Sequence, residues 1–333
     1  MTLNLENPPA GEKEATQKLT ELLRKKMVSE NPDRMMRDAH PKQHGLVKAE
    51  FIVEPDLPVE LRVGIFKESR TYPAWIRFSN QNSPPLPDKD KDIRGMAIKL
   101  MGVEGKKLIE GKENEQTQDF LLISTDVFVT KDVVEFEKLI NSLVSGRIKL
   151  IFFFLTHLRV AFNLLTSNKR FASPLEARYW STTPYLFGSK AVKYSAKPSS
   201  SLKSKVPKNP SDNYLREAMA ERLAACEVTF DFMIQFQKNT RTMPIEDPGK
   251  RWSQKDSPFI KAATIKIPVQ EFDSPEQIEF GDNLSFTPWH SLPEHRPLGG
   301  INRARKIVYE ALSEFRHQCN NVPQKEPAGF ELF

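Results

Sequence analysis

The sequence predicts an α+β fold: an antiparallel β-barrel with helices packed around it. Three observations carry this. Strand-like segments follow one another from residue 45 to about 127 and again at 228–236 and 262–269. Local turn chemistry separates them, as in Asn82-Ser83-Pro84-Pro85 and the charged loop 87–92. Few strand–helix–strand units occur, which disfavours a parallel, doubly wound sheet.

Residues 1–33 read as an arm holding one amphipathic helix, because Leu19, Leu22 and Leu23, with Met27 beyond, recur at helical spacing among Lys and Glu. Residues 34–320 form the expected domain and 321–333 a tail. The most apolar stretch, 149–165, is too short to span a bilayer comfortably and carries His157 and Arg159 near its middle. It reads as a buried helix, with an interfacial helix that presents a lipid substrate as the sharper alternative. Residues 187–210 are rich in Lys, Ser and Pro, contain no acid, and read as a mobile basic loop within the domain. No internal repeat is present.

The chain has 333 residues, 39% of them hydrophobic, with mean hydropathy −0.50. That suits a globular protein with ample core. A net charge of +6 and pI near 9.1 do not reach the level, or carry the aromatic-basic motif, of a nucleic-acid binder. Cys226 and Cys319 have neither disulfide-framework nor metal-type spacing. The N-terminus lacks a signal-like apolar run, so the expected location is cytoplasmic. No HExxH or similar spacing supports a zinc hydrolase.

Near the C-terminus, Arg305 and Tyr309 lie four residues apart on a helix-like segment and so share a face. A free tyrosine titrates near ~10, but a cation one turn away favours the phenolate, a ligand for hard ferric iron. Alone, the pair more often means a surface arginine beside a half-buried tyrosine. Other segments add weight: Arg37-Asp38-Ala39-His40-Pro41-Lys42, Trp75-Ile76-Arg77-Phe78-Ser79, Asp92-Ile93-Arg94-Gly95-Met96-Ala97-Ile98-Lys99, Thr117-Gln118-Asp119-Phe120-Leu121-Leu122 with Phe128 eight residues past Phe120, Phe286-Thr287-Pro288, and Arg316 seven past Tyr309.

In this order, from about residue 34 to 320, the segments resemble those of the haem catalases, specifically the short catalase-related peroxidase branch without a flavodoxin-like domain. The resemblance implies an eight-stranded barrel. It also implies one haem b, with Tyr309 as axial iron ligand, the ligation of catalase, and Arg305 holding the phenol ionised. Arg37, Arg77 and Arg316 would neutralise the propionates, and Phe128 would stack on the porphyrin. His40 would be the distal acid–base residue, with His44 its rival. The distal asparagine is Asn114 if one residue is inserted; an ungapped count puts Glu115 there. Arg94 is expected in a structural ion pair, and His290 and His295 as structural histidines rather than a substrate rim.

Two departures bear on activity. Gln43-His44-Gly45-Leu46 replaces the glycine-rich run after the distal histidine, and Ala39 replaces the usual neighbouring valine. Together they point to a haem peroxidase acting on hydrogen peroxide or on organic or lipid hydroperoxides. The alternatives are rearrangement of fatty-acid hydroperoxides, as in allene-oxide synthases, or non-catalytic haem binding. Peripheral membrane contact and a homo-oligomer are compatible with the sequence.

Overall fold

The computed structural model describes residues 5–31 and 33–332. Nine strands form one antiparallel sheet: β1 (Gln43–Val53), β2 (Thr71–Asn80), β3 (Arg94–Met101), β4 (Thr117–Ile123), β5 (Tyr179–Trp180), β6 (Tyr185–Phe187), β7 (Lys190–Pro198), β8 (Val228–Phe236) and β9 (Ile260–Ile267). The order β5-β4-β3-β2-β1-β9-β8-β7 closes on itself because β5 also pairs with β7, Tyr179 facing Ala196. Eight strands thus make the barrel, and β6 extends β7 as a hairpin.

Period-two alternation fills the interior. Val47, Ala49, Phe51 and Val53 of β1, Ile76 and Phe78 of β2, and Phe230, Phe232 and Ile234 of β8 all enter one core. Phe232 lies 5.0 Å from Phe51 and 4.9 Å from Phe120 between ring centroids, both edge-on. Each such buried ring contributes roughly 1.5–3 kcal/mol. The positions between point outward and are free to build a site.

Among the described residues seven α-helices surround the barrel: α1 (Glu12–Glu30), α2 (Val133–Val144), α3 (Arg147–Thr156), α4 (Leu158–Ser167), α5 (Tyr214–Ala225), α6 (Pro275–Asn283) and α7 (Gly300–Asn320). Helix α7 is preceded by Gly299, whose φ of 84° suits glycine and where a Cβ would lie 2.5 Å from the Ile245 carbonyl oxygen. The expected arm is integral to the domain. Leu19, Leu23 and Met27 of α1 are buried, and Arg303 of α7 binds Glu12 (2.6 Å), Glu6 and Glu246. The expected tail also packs back: Gly329 accepts a hydrogen bond from the Trp75 indole and Glu326 pairs with buried Lys99 at 2.6 Å.

Two sequence expectations are corrected. Residues 190–198 of the expected basic loop are barrel strand β7, with Val192, Tyr194 and Ala196 in the core. Lysines at the outward positions disguised the strand; Lys193 lies buried 5.1 Å from the Trp252 ring, and burial pushes its amine down to about 7. Residues 149–165 are not one buried helix but parts of α3 and α4, bent by 107°. The break falls where the Thr156 hydroxyl turns back to the Phe152 and Phe153 carbonyls and His157 stacks on Phe153 at 4.1 Å. Most of the large apolar side chains on this pair are exposed. Among the described residues no single helix is long and apolar enough to cross a membrane.

Candidate functional site

Outward positions of neighbouring strands form one wall of a cavity. Ser79 of β2 faces Gly95 of β3, which faces Ile123 of β4; Arg77, Ala97 and Leu121 make the next row. The opposite wall is α7, whose Arg305, Tyr309, Leu312 and Arg316 fall on one face, with Leu19 and Leu23 of α1 and Phe136 of α2 closing the sides. The cavity is partly open to solvent and its volume is about 260 Å³, more than the ~150 Å³ void that holds a benzene.

His40 lies on this cavity and His44 does not. His40 has a left-handed backbone, φ 60°, a strained region for a non-glycine residue. Its N–H donates to Gln81 (3.1 Å) and its carbonyl accepts from Arg77 (2.9 Å), so both sides of the residue are fixed. The ring rests over Gly95, and Nδ1 lies 3.1 Å from the Ser79 hydroxyl. Burial, then the charges of Arg77, Arg305 and Arg37, push the imidazole down to about 3, leaving it neutral at ordinary pH. His44 is buried 2.7 Å from Asn80 Oδ1, and burial with the Arg94 charge lowers it well below the usual histidine range.

Three arginines gather at the cavity's edge on the segment 281–285. Arg37 donates to the carbonyls of Asp282, Gly281 and Leu284, Arg316 to those of Asp282 and Asn283, and Arg77 to that of Gly281. Among the described residues the only carboxylate in ion-pair contact with the cluster is that of Asp282, 3.5 Å from Arg77. Burial, then repulsion from Arg77 and Arg316, drive the Arg37 guanidinium well below its ordinary range; burial and Arg77 lower Arg316 to about 10. Such a cluster is short of negative charge. The carbonyls orient the guanidinium planes without neutralising them.

Tyr309 borders the cavity, and its hydroxyl has no hydrogen bond among the described residues. Arg305 meets it through the ring face, 5.9 Å from the centroid, and lies 5.6 Å from the Phe128 ring. The guanidinium donates to Thr183 and Asn302, each at 3.3 Å. Phe128 lines the cavity edge-on to Phe136.

Other sequence candidates lie elsewhere. Asn114 occupies an exposed turn before β4 and does not line the cavity. Glu115 pairs with buried His290 at 3.3 Å in a cluster with Glu326, where Lys99 already supplies a cation. His295 is buried and accepts from the Ile65 N–H at 3.2 Å. Both histidines are structural. Arg94, expected in an ion pair, instead donates to Asn80 Oδ1 and to the carbonyls of Asp88 and Asp90, bracing the turn before β3. Sequence reasoning missed Ser79, Gly95 and the α1 leucines, whose convergence depends on register and helix docking.

No family model matches the sequence, and no curated protein matches it. Solved structures do. A fungal catalase superposes with a TM-score of 0.68 at 18% identity, covering 86% of this chain and 62% of its own. A bacterial catalase gives 0.67 at 18% identity, over 98% of this chain and 66% of its own. Catalase A from Saccharomyces cerevisiae gives 0.68 at 16% identity, over 98% and 71%. The chain therefore has a catalase-like fold and spans roughly two thirds of the length of these catalases.

The residues present fit a haem. The cavity offers apolar walls from Phe128, Val308 and Leu312 for a flat ring, an uncommitted phenol on α7, and the three-arginine cluster for a dianionic edge.

Proposed function

We propose that this protein is a haem-dependent oxidoreductase acting on peroxides. The observation that carries the reading is the set of three arginines, Arg77 and Arg316 buried and Arg37 half-buried, with only Asp282 in ion-pair contact with the set among the described residues, beside a cavity bordered by both Tyr309 and His40. Tyr309 would supply an oxygen ligand to the iron, with Arg305 lying over its ring face. Arg37, Arg77 and Arg316 would bind the two propionates. The iron, when bound, supplies the electrophilic centre and electrons for O–O cleavage.

His40 performs the proton work in this reading. A neutral imidazole can take the proton from the bound peroxide and return it to the departing oxygen, a contribution of ~10²–10⁴-fold. The Ser79 contact at Nδ1 fixes the ring and leaves Nε2 for substrate. The strained, doubly anchored His40 backbone limits the ring's freedom further. Phe128 would stack on the ring system and exclude water.

The finer reading is peroxidatic turnover of organic or lipid hydroperoxides. It is supported by the apolar Leu19, Leu23, Met27 and Phe136 within the cavity, while Asn114 lies outside it. The test of the central claim is Tyr309→Phe in haem-replete protein. Haem should be lost or its ferric absorption spectrum grossly altered. An unchanged spectrum would remove the claim.

A further inference from the structure

Helices α3 and α4 carry an apolar surface that the fold does not cover. Ile148, Ile151, Phe152 and Leu155 are 59–73% exposed and fall at i, i+3, i+4 and i+7 on α3; Leu158, Phe162 and Leu165 are 65–78% exposed at i, i+4 and i+7 on α4. Leu143 and Val144 extend the run from α2, both about half exposed. Soluble monomers rarely leave so contiguous an apolar surface bare, and one of this kind marks an interaction site.

Charge selects the partner. From residue 138 to 175 there is no Asp or Glu, while Lys138, Arg147, Lys149, Lys169 and Arg170 are exposed and Arg159 pairs with Asp247. Basic side chains flanking an apolar helix face suit an anionic lipid surface, where the stems lie along the acyl boundary and the charges reach the headgroups. The 107° bend makes two short helices suited to lying in an interface.

The opposite faces of these helices lead to the cavity. Leu150, Phe153, Val160 and Leu164 join one cluster with Ile93, Ile123, Phe128, Val129 and Phe136, and all of the latter line the cavity. We propose that α3–α4 is an interfacial docking element that seats this protein on anionic bilayers, presenting its cavity to acyl hydroperoxides formed in the lipid. The substrate part rests on the function proposed above; the docking does not.

The test is flotation of the full-length protein with vesicles of phosphatidylcholine alone or mixed with phosphatidylglycerol, at low and high salt. Binding is expected to the mixed vesicles, weakened by salt. Phe152→Ser with Phe162→Ser should lower it roughly tenfold per residue, while Val59→Ser, at a residue 81% exposed elsewhere, should leave it unchanged. Lys149→Glu should weaken binding to mixed vesicles. Because the substituted side chains are exposed, circular dichroism should match the parent. No flotation, or equal flotation of parent and double variant, would overturn the proposal. So would concentration-dependent self-association that the double variant abolishes without any vesicle binding, since the face would then belong to a second copy. Docking with no peroxide turnover would keep this inference and sink only the functional reading.

Discussion

Gly95→Ala isolates the contribution of His40 placement. A Cβ built at Gly95 lies 2.5 Å from His40 Nδ1 and 2.7 Å from Ser79 Oγ, against the ~3.5 Å or more of an unstrained contact. The ring must therefore retreat by about 1 Å or rotate, because its backbone is held at both ends. The φ of Gly95 lies outside the left-handed region, so alanine meets no backbone obstacle there. Overpacking of this size costs ~1–3 kcal/mol, which a domain of ordinary stability, ~5–15 kcal/mol, tolerates. A 1 Å misplacement of a catalytic group can cost ~10²-fold in rate. The assay is kcat/KM for a peroxide in haem-loaded protein, with the absorption spectrum and Tm as controls. Loss on the order of 10²-fold with haem retained is expected. Full activity with haem bound would falsify the role assigned to His40.

Three further outcomes follow from the same geometry. His40→Ala should retain haem yet slow O–O cleavage by ~10² or more, whereas His44→Gln should lower stability and leave turnover within about tenfold; the reverse pattern in stopped-flow kinetics would exchange the two assignments. Burial pushes His295 down to about 3 in the folded state, so the unfolded chain binds its proton first and stability falls as pH drops from ~6.5 towards 3. Between pH 7 and 5 this one residue costs about 2 kcal/mol, and His295→Gln should reduce the acid loss in denaturant titrations by that amount. Turnover of an organic hydroperoxide with a phenolic reductant should exceed oxygen release from hydrogen peroxide; vigorous oxygen evolution with negligible organic turnover would make the activity that of a true catalase.

How much could be read beforehand depended on whether a local period or a distant register carried the information. Arg305 and Tyr309 were legible because a four-residue spacing puts them on one helix face, whereas Arg316 came from the resemblance. The barrel core followed from strand alternation, as at Phe230, Phe232 and Ile234. Asn114 was not legible: a one-residue shift in a turn decides whether a side chain faces cavity or solvent, and no periodicity fixes turns. Strand β7 was hidden because lysines at its outward positions imitate loop composition. The exposure of α3 and α4 was hidden because apolar content reports burial without saying whether another part of the chain arrives to provide it. Gly95 and Ser79 matter only through the pairing that sets one opposite the other.

The first and last helices meet at the cavity: α1 contributes Leu19, Leu23 and Met27, and α7 contributes Tyr309 and Arg316. On the ribosome, α1 can pack first on Val133 and Phe136 of α2, but the cluster is completed only when α7 has been made. Contacts so distant in sequence form late and fold slowly. The cavity wall that α1 and α7 share is accordingly expected to close only after α7 has emerged, well after α1 and α2 can meet.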